Sequence, residues 1–488
     1  MPGKSKDLTK KMIQPLNLAL LLFVIISTVL FLISPVIGLA DNGEFGAFLQ
    51  ENGLRHERER NPEDVLGYAN YRFDRLQYNT ENSGFSRPSH SLLLKTALLL
   101  DRVFMGNELK FDSRFAALLS LAVLGWALRW LMQVILTFNQ SGKYQYFACT
   151  LGVVIFADIG YLAFMNSFYS EAIIYPFYLL AIASLLKISA SEKVKKSYLL
   201  VFFFSSVMFL LAGNQYLVTG ILSGMVLLAT VLLRSAKKAK ILAVSLGLLL
   251  FIGALTVMTL VDNRAPLEEK YHQFTRGALL YEGDPRTIPP KLGIDERYAL
   301  LAETLYFNRT LVIHPADELL YRELYANYSG ARVAVYYLSN PQALAKLMEI
   351  GWRNSLVVRP EVLGNYPRSA GKTFGEKSAF FSLWSLFKQR MVPGSAGFAY
   401  LLLVLSAALS IQRMIVLKNR NSGRNFYFME GVMLYIALIS LSQILTAFIG
   451  AGDTDLRHRL FLSAVSLDLL FYISLTYALS LVTKTHDI

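Results

Sequence analysis

The sequence predicts an all-α polytopic membrane protein, and three observations predict it. Apolar runs of about 20 residues recur along the chain, and a helix needs about that length to cross a hydrocarbon core about 30 Å thick. Charged residues make up 17% of the 488 positions and hydrophobic residues 54%, whereas an ordinary soluble domain carries about 25% charge. The charges fall between the apolar runs, which separates a membrane chain from a soluble one with a large core.

Ten runs read as spans, at roughly 17–40, 115–138, 144–165, 172–188, 198–215, 216–233, 241–261, 396–417, 426–449 and 459–481. The first follows Lys4, Lys6, Lys10 and Lys11, which places its N-terminus in the cytoplasm. It is too long for a signal h-region and lacks a small-residue cleavage site, so it reads as a retained helix. From that start the inward loops hold Lys143, then Lys187, Lys193, Lys195 and Lys196, then Arg234, Lys237, Lys238 and Lys240, then Lys418, Arg420 and Arg424. The basic clusters share one side, as the positive-inside rule requires, and both termini are then cytoplasmic. The net charge of +13, from 48 Lys and Arg against 35 Asp and Glu, has its origin there. No basic face carries interleaved aromatics, so nucleic acid is not expected as a partner. The single Cys149 sits in an apolar run, which excludes an intrachain disulfide.

Two stretches do not fit the membrane. The first, 41–114, opens polar. Its apolar segment Ser91–Phe104 is about 14 residues long, short for a span and suited to a juxtamembrane helix lying at the interface. The second, 262–395, has the composition of an inserted, mainly helical extracytoplasmic domain. Asp295 and Asp317 precede apolar-periodic runs as N-caps, and Pro289-Pro290 and Val392-Pro393-Gly394 punctuate the segment. The chain then divides into an N-terminal transmembrane module 1–261 with the first external loop 41–114, the 262–395 domain, and C-terminal membrane helices 396–488.

Polar groups at membrane depth or at the rim carry the functional information. Asp41-Asn42-Gly43-Glu44-Phe45 follows the first run. It reads as a catalytic carboxylate at the mouth of a membrane-facing pocket, or as a solvated turn or N-cap. Asp158 lies about 21 Å into its span at 1.5 Å per residue, where a lone charge calls for a cavity or a partner. Asn166-Ser167-Phe168-Tyr169-Ser170-Glu171 offers hydroxyl, amide and carboxylate groups to a sugar, or forms a hydrated hairpin tip. Asp453-Thr454-Asp455-Leu456-Arg457-His458-Arg459 puts three basic side chains on the outer side, against the topology bias. An anionic lipid head group accounts for them, since Arg donates bidentately to phosphate; an internal ion pair to Asp453 or Asp455 is the other account. Arg87 and His90 could join the same anion site. There is no Walker loop, no nucleotide fingerprint, no paired-histidine spacing and no cysteine cluster. Asp41 and Glu44 could hold a divalent cation such as Mg or Mn through oxygen, though nothing in the sequence requires a cofactor.

The order of these parts resembles the GT-C class of membrane glycosyltransferases, and more closely the bacterial hexosyltransferases of cell-surface and S-layer glycan biosynthesis. The matching stretches are Leu39–Phe45, Asn166–Glu171, Gly452-Asp453 with Arg457-His458, Tyr271-His272 through Arg276-Gly277-Ala278, Gly283-Asp284-Pro285, Leu292–Asp295 and Leu363-Gly364-Asn365-Tyr366. The resemblance implies an inverting hexosyl transfer from a polyprenyl-phosphate-linked sugar to a glycan or glycolipid acceptor, on the extracytoplasmic face of a bacterial plasma membrane. It implies Asp41 as general base or metal holder, with Glu44 beside it. The Asp-x-x-Glu spacing departs from the tighter Asp-x-Asp motif, which puts metal use in doubt. Arg457, His458, Arg87 and His90 would take the donor phosphate. Asn42, Asp158, Asn166, Tyr169, Glu171 and Asp453 would line the sugar or acceptor pocket. The rival functions are a transporter or flippase of a lipid-linked glycan, a non-catalytic subunit of a surface-glycan machine, and a ligase of whole glycan chains.

Overall fold

The computed structural model describes residues 2–57, 66–76, 87–262, 267–280, 284–308, 311–327, 329–359, 363–419 and 424–485. Gly283 and Arg420 lie outside the described residues, as do the side chains of Lys4, Lys6, Lys10, Lys11 and Arg424.

The protein is an all-α polytopic membrane protein. Helix α1 (Pro2–Phe31) leads to α2 (Phe45–Glu51), β1 (Leu54–His56), β2 (Arg72–Arg75), α3 (Pro88–Met105) and β3 (Lys110–Asp112). The membrane bundle continues with α4 (Arg114–Ile135), α5 (Gly142–Phe156), α6 (Ile159–Leu162), α7 (Glu171–Ser189), α8 (Lys196–Leu210), α9 (Leu217–Ala229) and α10 (Lys237–Asp262). The inserted segment holds α11 (Leu267–His272), α12 (Ile288–Lys291), α13 (Glu318–Leu320), α14 (Gly330–Ser339), α15 (Pro341–Ser355) and α16 (Leu383–Met391). Helices α17 (Ala396–Asn419), α18 (Arg424–Ala451), α19 (Leu456–Arg459) and α20 (Phe461–Thr485) complete the chain.

Among the described residues, eight helices are long and apolar enough to cross a membrane, and nine if the pair α5 and α6, bent by 42°, counts as one span. Nine of the ten expected runs meet that test. The run expected at 198–215 forms α8, whose 15 residues rise only about 22 Å, short of the core thickness. The first run was also drawn too long. Helix α1 stops at Phe31, ahead of Pro35, which has no N–H to continue a helix. Residues 36–41 instead run as buried, non-helical backbone.

Pro88 in its first turn and left-handed Gly106 after it bound α3. Leu94, Ala97 and Asp101 are buried, while Leu92, Leu99 and Val103 are exposed. That apolar outer face suits a helix lying against lipid. The antiparallel sheet β1–β2–β3 pairs His56 with Phe73 and Phe73 with Phe111. It was not anticipated in a loop with so few consecutive apolar residues.

The inserted segment packs on one end of the bundle. Helix α11 lies against α18, α15 against α17, α18 and α20, and α16 against α5. Asp295 and Asp317 accept hydrogen bonds from the Arg297 and Leu319 amides as N-caps. The helices they open are single turns or short irregular helices rather than long ones.

Candidate functional site

The site grows from the buried segment 37–41. Its backbone has no helix to satisfy it, so neighbours do. The Gly38 and Ala40 amides donate to the carbonyls of Asn365 and Gly364 at 3.1 and 3.0 Å. Asn365 Nδ2 and Asn166 Nδ2 donate to the Gly38 and Ile37 carbonyls, each at 2.9 Å. Asn166 Oδ1 accepts from Ser113 at 2.6 Å, so both ends of that amide are used in framing. A Cβ at Gly38 would come 2.7 Å from the Asn166 carbonyl, which explains a glycine there.

Asp41 ends this segment, buried at 3% exposure. Its Oδ1 accepts the amides of Gly43 and Phe45 at 2.7 and 3.2 Å. Its Oδ2 accepts from His56 Nε2 at 3.0 Å. Burial pushes the carboxyl up, but the His56 bond and the two amides outweigh it and hold it below its ordinary value. The carboxylate thus orders the turn into α2 and is ionised at neutral pH. Glu44 accepts from Asn42 Nδ2 at 3.1 Å and pairs with Arg87 at 3.3 Å. Arg87 also donates to the Phe168 carbonyl at 3.2 Å.

Tyr169 connects this loop to the last part of the chain. Its hydroxyl donates to the Ala40 carbonyl and accepts the Asn42 amide, both at 2.8 Å. Its ring stacks on the His458 imidazole with centroids 4.6 Å apart. His458 Nδ1 donates to Glu171 Oε1 at 2.8 Å. Burial pushes the imidazole down, but the carboxylates of Glu171, Asp455 and Glu44 outweigh it and lift it to about 9. His458 is therefore an imidazolium at neutral pH. Arg457 stands half-buried on the same helical turn, and Arg459 reaches Glu269 of α11 at 3.6 Å. The structure thus gathers Asp41, Asn42, Glu44, Arg87, Tyr169, Glu171 and His458 at one end of the bundle, from stretches far apart in the chain.

A family model for the YfdI N-terminal transmembrane domain matches residues 3–487. The chain belongs to this family. Neither curated proteins nor solved structures gave a significant match.

The remaining sequence-selected residues of this YfdI-family chain sit elsewhere or serve the frame. The His90 ring is buried against Phe48, centroids 4.5 Å apart. Burial and the Arg87 charge lower it to about 3, so it is neutral and belongs to the aromatic layer beneath the polar cluster. Asp453 takes Arg276 bidentately at 2.8 and 2.8 Å. Asp453 thus takes its cation from the inserted segment rather than from the basic residues of its own cluster, as one account of that cluster had it. Gly452 (φ 62°) lies so close to Arg276 that a Cβ would meet its carbonyl. Asp158 caps α6 through Gly160 at 2.7 Å and accepts the Ser385 amide at 2.9 Å. It fixes the bend between α5 and α6 and ties it to α16.

Sequence reasoning missed two groups. His56 lay in a polar loop with no periodic signal. Asp468 stood alone in the last apolar run, a visible sign that went unused. It accepts from Tyr161 at 2.5 Å, Trp384 at 2.6 Å and Lys388 at 2.9 Å. The Lys388–Asp468 pair is buried on both sides, at 3% and 4% exposure.

Proposed function

We propose that this chain is a GT-C-type inverting glycosyltransferase. It transfers a hexose from a polyprenyl-phosphate donor to a glycan or glycolipid acceptor at the extracytoplasmic face. The observation that carries this reading is the convergence just described: an ordered, ionised carboxylate in the first loop, joined through Tyr169 to an imidazolium beside Arg457. Membership of the YfdI transmembrane family supports a membrane glycan role. The basic clusters between the other spans support a cytoplasmic location for both termini, which puts this end of the bundle outside.

The acceptor oxygen attacks the anomeric carbon while its proton passes to the Asp41 carboxylate. The bond from sugar to phosphate breaks, and its electron pair stays on the lipid phosphate. A single displacement inverts the anomeric carbon. The leaving group is already an anion and needs charge stabilisation more than an acid. Arg457 and protonated His458 supply that charge, with Arg87 at the opposite side of Glu44. Asn42, Tyr169 and Glu171 border the sugar, and Asn166, Asp158 and Asp453 hold the frame.

Asp41 and Glu44 do not fit a shared divalent cation as they stand. Both Asp41 oxygens accept hydrogen bonds and Glu44 faces Arg87. Among the described residues no three His, Cys, Asp or Glu side chains are grouped to hold a metal.

The test separates transfer from transport. Purified protein in vesicles receives radiolabelled polyprenyl-phosphate glucose, galactose or mannose with membrane glycolipids as acceptors. Transfer predicts loss of one donor and gain of label in the acceptor. Movement of intact donor between leaflets without consumption contradicts it and favours the flippase.

A further inference from the structure

We infer that the end of the bundle away from Asp41 carries a binding site for the head group of an anionic phospholipid. Trp126, Arg129, Trp130 and Gln133 of α4 share one helix face at i, i+3, i+4 and i+7 spacing. Their distance from the Asp41 site follows from the chain. Arg114 opens α4 next to Ser113, which bonds Asn166, and Gln133 stands 19 positions after Arg114, about 28 Å along the axis. Glu171 opens α7 at the site, and Lys187 stands 16 positions after it, about 24 Å along the axis. At that far end Lys187 Nζ donates to Gln133 Oε1 at 2.5 Å. The Trp130 ring meets those of Trp126 and of Tyr198 on α8, with centroids 5.2 and 5.3 Å apart. Lys195 Nζ lies 5.7 Å from the centre of the Tyr198 ring. Arg129 and Lys195 are exposed and Lys187 is half-buried.

Three cations thus surround a group of aromatic rings, and among the described residues no carboxylate pairs with any of them. Elsewhere in its spans the chain compensates a cation itself: Lys388 has Asp468 at 2.9 Å, and Arg413 has Glu430 at 3.2 Å. Lysines that only set topology sit in loops. Arg129 instead lies 6 positions before the end of α4, about 9 Å inside, and Lys187 lies 2 positions before the end of α7. Cations so placed need an anion or a route to the surface. Trp and Tyr rings settle at the level of the head groups, so this cluster stands where lipid phosphates lie. A phosphodiester accepts two hydrogen bonds at once from Arg and is held by Lys as a point charge. Basic pockets between helices at this level suit anionic head groups. Leu200 and Phe204, one turn apart on α8, are exposed to the hydrocarbon that the acyl chains occupy.

The experiment titrates the full chain in detergent with phosphatidylglycerol or phosphatidylethanolamine of identical tails, and follows bound lipid by native mass spectrometry. Each basic side chain beside an anionic head group contributes about fivefold in affinity. Wild type should hold one phosphatidylglycerol at least about tenfold more tightly than phosphatidylethanolamine. Lys195→Gln should weaken that lipid about fivefold, and Arg129→Gln with Lys187→Gln about 25-fold. Lys143→Gln with Lys238→Gln removes two exposed charges from other loops and should stay within about twofold of wild type. In vesicles, phosphatidylglycerol with brominated tails should quench tryptophan fluorescence more than its brominated phosphatidylethanolamine counterpart, and Trp126→Phe with Trp130→Phe should abolish the excess. None of these readouts depends on sugar transfer, so they stand or fall apart from the proposed activity. Equal affinity for the two lipids, or an equal loss in the Lys143 and Lys238 pair, means diffuse charge attraction and overturns the inference. Displacement of the lipid by excess inorganic phosphate makes the ligand a soluble anion and also overturns it. If the Arg129 and Lys187 double variant does not fold, Lys195→Gln, in the loop before α8, decides: wild-type affinity there refutes the site.

Discussion

Lys388→Met tests whether the ion pair beneath the site holds the inserted segment to the bundle. Lys388 and Asp468 lie 2.9 Å apart and are almost fully enclosed. Removing one partner of a buried pair costs about 3–5 kcal/mol, because the other charge is left uncompensated. In Lys388→Met the stranded Asp468 keeps hydrogen bonds from Tyr161 and Trp384, so the cost falls near the lower end, about 3 kcal/mol. Asp468→Asn strands the ammonium instead and falls near the upper end, about 5 kcal/mol. The double variant Lys388→Met with Asp468→Asn buries no charge, and its Asn oxygen can still accept from both rings. It should recover to within about 1–2 kcal/mol of wild type. The assay is reversible unfolding in mixed detergent micelles, with hydrogen exchange followed at residues 383–391. A Lys388→Met stability within about 0.5 kcal/mol of wild type, or additive single and double variants, would refute the reasoning.

Two further outcomes follow from the rim. His458 is lifted from 6.5 to about 9, so its contribution is fully present below about 6.5 and is lost as pH rises through about 9. Tm should therefore fall between pH 7 and pH 10 by the equivalent of about 3 kcal/mol, and His458→Gln should flatten that slope. Asp455, lifted by desolvation to about 6, titrates below this window. Gly452→Ala should push Arg276 away from Asp453 and cost about 2 kcal/mol or more, read as faster proteolysis of 267–395 with the membrane bundle intact.

The spans were legible because hydropathy is a local property, and the rim clusters because charge at an apolar boundary is conspicuous. Where the reading drifted, a second physical term had entered. The run to Ala40 stayed apolar past Phe31, but apolarity does not distinguish a helix from a buried extended segment, and Pro35 was the better guide. Asp158 and Asn166 were singled out for being polar at depth, and both turn out to hold frame contacts whose partners, Ser385 and Ser113, lie far away in sequence. Asp468 and Lys388 stand 80 positions apart, so neither alone announces the pair. The Leu363–Tyr366 stretch was noted as a motif, but only the fold shows that it grips the Asp41 segment. His56 could not be told from any other polar loop residue until β1 placed it against Asp41.

The central claim is that the Asp41 loop carries the proton chemistry of hexosyl transfer. Its most direct test is turnover of the consumed donor by wild type and Asp41→Asn in matched vesicles, normalised to folded protein. The account predicts transfer by wild type with an inverted anomeric carbon, and a loss of about 100-fold or more in Asp41→Asn with donor binding retained. Transfer by Asp41→Asn at the wild-type rate would contradict it.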